Sequence, residues 1–543
     1  MRASLCQSEK MGISRYLAPN CVLLGAVPVE KKEFVKKAVW WIKRDFRVAD
    51  NMCLFEAAQE MHSVIPFFCW EPEILNGGDY STFHLQAQWE GLNGVCQSLK
   101  SRGIESRVVI GEIVEELDLL YRLFPFDIIY SHQETGNLVS YDRDQRVRKW
   151  CGERVVKWVE KNPSSVMRGG NADQRRLKRR QAGYRKQEPL PISDLSQLKS
   201  VPVGVAKQSP SWQEMTAAFP KFKGHTLNPS LPKVNEKSAH TTLSSFLQER
   251  GAGYAGGISS PNTAFDHGSR LSTHLAWGTI SLRTIFKQLD QRREEVRENN
   301  QRSNWLRSLR AFESRLFWRD HFIQRLEAFP ELEKKALNSA YSDLKYEDDP
   351  QKLDAWVQGQ TGYPMVDASM RCLAKTGFLN FRMRAMVVSF ACYGLHLSWK
   401  TIHEPLACLF YDYEPGIHLS QLQMQAGVIG FNAIRVYSPA KQFLDHDPNA
   451  VFVHKWVDEL NRKTPVEIAH AEEKPINGYT PRVVNLKDRA KEMKSRVFTI
   501  RSSANAKKIT GDVLKKHGSR KVTGVGKKKN RSAKGQMTLF KIL

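Results

Sequence analysis

Guanidinium and carboxylate groups set in aromatic surroundings are the residues of this sequence best suited to chemistry. Arg382 and Arg384 close the segment Thr376-Gly-Phe-Leu-Asn-Phe-Arg-Met-Arg, and Asp412 and Glu414 follow in Tyr411-Asp-Tyr-Glu-Pro-Gly-Ile-His. An Arg–carboxylate pair buried in an aromatic domain is costly unless it serves a purpose, and a plain structural salt bridge is the alternative. A second group is Gly268-Ser-Arg-Leu-Ser-Thr-His-Leu-Ala-Trp. Small hydroxyl residues at a helix start expose backbone N–H groups, and Arg270 adds a fixed charge, which together suit a diphosphate. An ordinary capped helix explains the same spacing. A third is Trp41-Ile-Lys-Arg-Asp-Phe-Arg-Val-Ala-Asp-Asn, which ends one strand and opens one helix. Strand ends of α/β sheets commonly carry ligand groups, and capping with surface charge is the plainer reading. No Gly-rich phosphate loop is present in this region, which argues against a Rossmann or P-loop cradle.

These groups need a scaffold. The chain has 543 residues, with 82 Lys plus Arg against 57 Asp plus Glu, a net charge of +25. Hydrophobic residues at 41% exclude wholesale disorder, and the charge points to a polyanionic partner, nucleic acid before membrane. No apolar run reaches the ~18 residues of a membrane span, and the amino-terminal region carries no convincing export signal. Nine cysteines without a Cys-x-x-Cys motif imply reduced thiols, no metal site and a cytoplasmic location. A monomer is expected.

Apolar runs Ala38-Val-Trp-Trp-Ile-Lys, Ser63 to Trp70, Arg107-Val-Val-Ile, Asp127-Ile-Ile-Tyr and Arg154-Val-Val-Lys-Trp-Val alternate with helical segments, including Ala87 to Arg102 and Asp142 to Cys151. This predicts a parallel five-stranded α/β domain over 37–165. Residues 1–36 read as an extension. Residues 166–235, rich in Pro, Ser, Gln and Lys with a basic block at Arg175-Arg-Leu-Lys-Arg-Arg, read as an interdomain linker with little core of its own. Helical periodicity dominates 236–496, which predicts a large all-α domain. Residues 497–543 read as a disordered basic tail.

Taken together, the motifs resemble the photolyase/cryptochrome flavoprotein family. The resemblance runs from about residue 37 to 462 and rests on "WWIKRDFRVADN", "SRLSTHLAWGTIS", "FWRDHF", "AWVQGQTGYPMVDASMR", "RVYSPAKQFLDHDP" and "FVHKWVDEL", in that order. It implies an amino-terminal antenna domain and a helical domain that holds FAD. It also implies a possible second chromophore of folate, deazaflavin or lumazine type, with Ser131-His-Gln-Glu-Thr-Gly-Asn only suggestive of its place. By resemblance, Tyr254, Ser269, Arg270, Leu271 and Ser272 contact the FAD phosphates. Arg384 and Asp412 form the ion pair beside the isoalloxazine, and Glu414 joins Asp412 near the ring and ribose. Trp318 and Arg319 line the lesion pocket, with Arg315, Phe378, Phe381 and Arg382 as further substrate contacts. Trp318, Trp399, Arg384 and Asp412 are the expected catalytic set. The implied activity is that of a deoxyribodipyrimidine photolyase, which repairs ultraviolet-damaged DNA by light-driven electron transfer from reduced FAD. A cryptochrome-type photoreceptor without repair and a (6-4) photolyase are the alternatives.

The sequence departs from the family at several of these positions. Gly268 stands where Thr is usual, Arg315 where many members carry a pocket Glu, Phe381 where they carry Asn, and Phe378 where they carry Trp. The usual chain of three Trp is incomplete, since none occurs between Trp399 and Trp456. Trp399 matches the middle member and Tyr346 the outer one, with Tyr411 or Tyr413 as other relays. The group facing flavin N5 is Gly416 or His418, and His418 or His321 could act as an acid. Only Cys372, Cys392 and Cys408 lie in the helical domain, too few for a four-cysteine cluster. The final Gln536-Met-Thr-Leu-Phe resembles the peptide by which bacterial repair proteins dock on the sliding clamp. Gln536, Leu539 and Phe540 would be its anchors.

Overall fold

The computed structural model describes residues 36–169, 174–199, 201–202, 204–299 and 302–518. Five parallel strands form one sheet in the order β3-β2-β1-β4-β5. They are β1 (Lys37–Trp41), β2 (Ser63–Trp70), β3 (Arg107–Ile110), β4 (Ile128–His132) and β5 (Lys157–Lys161). The pairing places Trp41 against both Phe67 and Ser131. Both faces of β1 are buried, which is why its sequence is a continuous apolar run. Ala38, Trp40 and Ile42 enter one core and Val39 and Trp41 the other, the period-2 alternation of a strand. Asn51 caps the first helix, its side chain accepting from Leu54 N.

The sequence reading of β5 began too early. The preceding helix spans Leu138–Arg154 and closes on Val155 in the left-handed region, φ 58°, so the strand starts only at Lys157. Residues 166–235 are also more than a connector. They hold the helices Gln174–Tyr184 and Trp212–Ala218, and Trp212, Met215, Phe219, Phe222, Leu231 and Val234 join the core under the sheet. Burying these large side chains offsets the entropy of ordering a segment whose average composition looks unstructured.

The expected tail is corrected in the same way. The helices Leu486–Ser502 and Ala504–His517 continue the helical part, with Met493, Val497, Ala506 and Val513 buried. The apolar positions recur at helical spacing beneath a basic outer face, so charge counting hid them. Residues 519–543, including Gln536, Leu539 and Phe540, lie outside the described residues.

Several histidines are interior. Burial pulls His84 and His274 down to about 4, and His274 Nδ1 is 2.8 Å from Thr279 Oγ1. The unfolded chain binds these protons near pH 6.5, the folded chain only near 4, so stability present above 6.5 is lost as pH falls between the two. We expect the melting temperature to drop steeply from pH 6.5 to 4. His274→Asn should flatten that drop, measured by calorimetry across the range.

Candidate functional site

The loop after the helix His403–Leu409 delivers Asp412, and the helix Phe381–Ser389 delivers Arg384. One guanidinium nitrogen of Arg384, Nη2, donates to both Asp412 oxygens, at 3.0 and 2.9 Å. The Asp412 side chain is 6% exposed. Arg384 Nε donates to the Leu379 carbonyl at 2.6 Å, and its plane lies 4.1 Å from the Phe410 ring centroid. The cation is thus fixed from two further sides, which makes the pair a rigid electrostatic edge rather than a solvent-screened bridge.

Glu414 turns elsewhere. Its carboxylate pairs with Arg319 Nη2 at 3.4 Å and is raised by burial. Arg319 also donates to the Leu275 carbonyl, and both side chains line the cleft between the sheet domain and the helices. The expected Asp412–Glu414 pair is therefore split. Asp412 serves Arg384, and Glu414 serves Arg319 at the domain boundary.

The strand-end motif is spent on that boundary. Arg44 donates to the Tyr413 carbonyl at 2.8 Å and the Ala276 carbonyl at 3.2 Å, and stacks on Trp277. Arg47 donates to the Gly278 carbonyl and Asp50 pairs with Arg283 across the boundary, whereas Asp45 pairs with His132 and Lys43 with Asp144 inside the sheet domain. The Ser131–Asn137 segment also bonds across the boundary, Thr135 donating to Glu327 at 2.6 Å. Charges that could have met a ligand hold two domains together.

The turn before the short helix Ser272–Ala276 carries a different charge pattern. Arg270 adopts φ 58°, a strained position for a side-chain-bearing residue. Its guanidinium lies 3.8 Å over Phe265 and reaches the mostly exposed Asp266 at 3.4 Å. Arg250 approaches the same turn, donating to the Gly268 carbonyl. Burial first, and then the neighbouring Arg270, pull Arg250 down to about 10. Two under-neutralised cations on one turn fit a diphosphate. Leu271 is wholly buried with Tyr254, which packs on Phe246 and Phe312, while Ser269 and Ser272 remain accessible. Gly268 is explained locally, since a Cβ there would collide with the Ala264 carbonyl oxygen, leaving no room for the usual Thr.

Phe265 links this turn to the expected substrate side. It meets Phe378 edge-on at 6.0 Å, and Phe265 and Phe381 are 47% and 49% exposed. Large aromatics at the surface beside Arg270 and Arg382 make a stacking edge suited to bases. Arg315, Trp318 and Arg319 share the long helix Arg302–Ala328. Trp318 stacks on Phe322 at 5.5 Å, and Arg315 lies near enough to Tyr254 for its charge to act on that hydroxyl.

The electron-transfer candidates separate. Trp399 and Tyr346 belong to the helical core, whereas Tyr411 packs beneath the sheet and donates to the Pro232 carbonyl at 3.2 Å. Tyr411 does not join Trp399. Sequence reasoning missed Trp356, which is fully buried in the Trp399 core and donates to the Val387 carbonyl at 3.2 Å, on the helix that carries Arg384. Its place in "AWVQGQTGYPMVD" was the available signal. Gly416 is pressed onto the long helix, where a Cβ would sit 2.6 Å from Ile323 Cα. His418 is buried against His403, Tyr413 and Phe410, whose ring Arg384 also covers, with Nε2 unpartnered. Of the two, His418 lies on the Arg384 side.

A parallel α/β domain clamped to a helical domain with an Arg–Asp edge and a cationic turn suits a phosphate-bearing cofactor. Comparison with known proteins agrees. Residues 38–179 match the DNA photolyase family model, and residues 312–499 match the FAD binding domain of DNA photolyase, together more than half of the chain. The chain belongs to the photolyase/cryptochrome family, and its helical part is an FAD-binding domain. It is 26% identical over 483 residues to a deoxyribodipyrimidine photo-lyase of Synechococcus, covering 84% of this chain and 95% of that protein. It is equally 26% identical over 478 residues to a cryptochrome DASH of Solanum lycopersicum, covering 80% and 79%. The Sulfolobus tokodaii photolyase solved with two FAD molecules superposes with TM-score 0.70 at 24% identity, covering 85% and 100%. The Synechocystis cryptochrome superposes with TM-score 0.73 at 19% identity, covering 85% and 98%.

Proposed function

We propose that the protein is a light-dependent lyase that splits pyrimidine dimers in ultraviolet-damaged DNA. The observation that carries the reading is the Arg384–Asp412 edge lying in the same helical domain as Phe265 and Phe378, which meet edge-on, and the exposed Phe381. One part can compensate a charged ring and the other can stack an unpaired base. Bound FAD would supply light absorption and the electron that opens and then leaves the dimer. Arg250 and Arg270 hold its phosphates, and Arg384, fixed by Asp412 and Phe410, holds positive charge at the ring edge. Phe378 and Phe381 stack on the extruded bases, and a damaged pair costs less to flip. Arg315 and Arg382 meet the strand's phosphates and Trp318 packs on the lesion. Electrons for reactivation would pass through Trp399, Tyr346 and Trp356. A second pigment is compatible with the cleft between the domains, and its absorption after release by denaturation would identify it.

The test is incubation of the reduced, purified protein with ultraviolet-damaged oligonucleotide. Restored thymines under blue light, absent in the dark, support repair. Flavin photoreduction without restored thymines would support a photoreceptor instead, a reading favoured by the absence of any Trp between Trp399 and Trp456. The terminal Gln536, Leu539 and Phe540 would dock on a sliding clamp. Leu539→Ala with Phe540→Ala should lower clamp affinity at least tenfold by surface plasmon resonance while leaving repair of short oligonucleotides unchanged. No helix among the described residues is long and apolar enough to cross a membrane.

A further inference from the structure

The helix Leu486–Ser502 buries one side and leaves another to solvent. Leu486, Ala490, Met493 and Val497 recur three and four residues apart and enter the core of the helical part. On the solvent side Phe498 is 51% exposed, as open as Phe265 at 47% and Phe381 at 49%. Lys487, Lys491 and Lys494 fall on the same face as Phe498 by helical spacing, and Arg501 follows one turn on. Lys487 and Lys491 are exposed and Lys494 is half-buried, and among the described residues none of the three has a carboxylate partner. The acids of the helix keep off this face. Glu492 takes Arg489 and Arg496, and Asp488 stands about a quarter turn round from Phe498.

A row of lysines alone is ordinarily a solvated surface. Here an open aromatic ring is set among the charges, which is the composition of surfaces that track a single nucleic-acid strand. The face also continues toward Phe381. Arg501 Nη1 donates to the Asn432 carbonyl at 3.1 Å. The loop beyond Asn432 returns to Ser389, whose hydroxyl donates to the Arg435 carbonyl at 3.3 Å and accepts from Tyr437 N at 3.2 Å. Ser389 ends the helix that begins at Phe381, about 12 Å away at ~1.5 Å per residue. Arg435 and Tyr437 are half-buried along this path, and the Arg435 side chain has no partner among the described residues. By charge the occupant is a polyanion. The apolar side of the helix is already spent on the core, so the helix cannot sink into a bilayer as an interfacial helix does. A strand offers phosphates to the cations and a flat base to the ring.

We propose that the outer face of the helix Leu486–Ser502 is a second nucleic-acid contact. The backbone of a single strand lies along Lys487, Lys491, Lys494 and Arg501, and one base stacks on Phe498. The proposal rests on the reading of DNA as the substrate and extends it: the unpaired strand leading away from Phe381 passes over the Arg435 loop to the terminal helices.

The test is made in the dark with the full-length flavin-loaded protein and undamaged, fluorescein-labelled oligothymidylate, read by fluorescence anisotropy over a range of salt. Lys491→Gln with Lys494→Gln should weaken binding at least fivefold and lower the slope of log affinity against log salt by about 1.4, since each single-strand phosphate contact contributes about 0.7. Phe498→Ala should weaken binding at least fivefold with the slope unchanged, and Phe498→Trp should keep the wild-type affinity, because stacking needs a ring and not a charge. Unchanged affinity in either loss variant, or a wild type that does not bind, overturns the contact. Repair of a short damaged oligonucleotide under blue light is read separately. Repair with unchanged variant affinities overturns the contact alone, whereas dark binding that the variants lose, in a protein that repairs nothing, supports the contact and sinks the lyase reading.

Discussion

Replacing Arg384 by Met should give a protein that retains little flavin and melts far below the wild type. Asp412 would remain buried with the cation that meets both its oxygens gone, a loss of about 3–5 kcal/mol. Flavin affinity should fall about a hundredfold, since the cation proposed to lie at the ring edge would be gone from a low-dielectric setting. The double variant Arg384→Met with Asp412→Leu separates the two effects. It should recover most of the lost stability, because no unpaired charge remains, yet stay colourless. Calorimetry together with the ratio of flavin to protein absorbance reads both. If the double variant is as yellow as wild type, the pair has no part in holding the cofactor.

The second large effect is expected at the domain boundary. Gly278 adopts φ 65°, and a Cβ there would collide with the Arg44 carbonyl oxygen and sit 2.8 Å from Asp45 Cα. Its own carbonyl accepts from Arg47 Nη1 at 2.8 Å. Gly278→Ala therefore combines left-handed strain with a clash against backbone that cannot move without breaking β1's connection to the helices. A loss of more than about 3 kcal/mol is expected, with rapid proteolysis between the domains. Gly103→Ala is the control. It has φ 78° but open space around it, so strain alone, about 1 kcal/mol, should be seen. Equal effects at the two positions would show that backbone strain, not the close approach, dominates.

The strands were readable because both faces of the sheet are covered, so Ala38 to Ile42 is apolar without interruption. Arg384 and Asp412 were readable because their motifs place a cation and an acid among aromatics, and resemblance supplied the pairing. What the chain order could not show is which surface opposes a given side chain. "WWIKRDFRVADN" looks like a ligand-binding strand end, yet Arg44, Arg47 and Asp50 find their partners more than two hundred residues later, at Ala276, Gly278 and Arg283. Tyr411 and Asp412 are neighbours that serve different cores. The stretch after residue 497 was misread because thirteen basic residues outweigh, in any composition average, the few apolar ones that decide the packing.

The last helix has a bearing on where the working unit ends. Thr510 accepts a hydrogen bond at 2.9 Å from Nδ2 of Asn338, which is wholly buried, and the same amide reaches the Ile429 carbonyl. The family match stops at residue 499, inside the helix Leu486–Ser502. A gene trimmed to that limit would encode a protein whose Asn338 amide loses one acceptor and whose Val497 face stands open to water. Fusion partners and affinity handles therefore belong beyond residue 518, and any transplant of this FAD-binding domain must carry the helices Leu486–Ser502 and Ala504–His517 along.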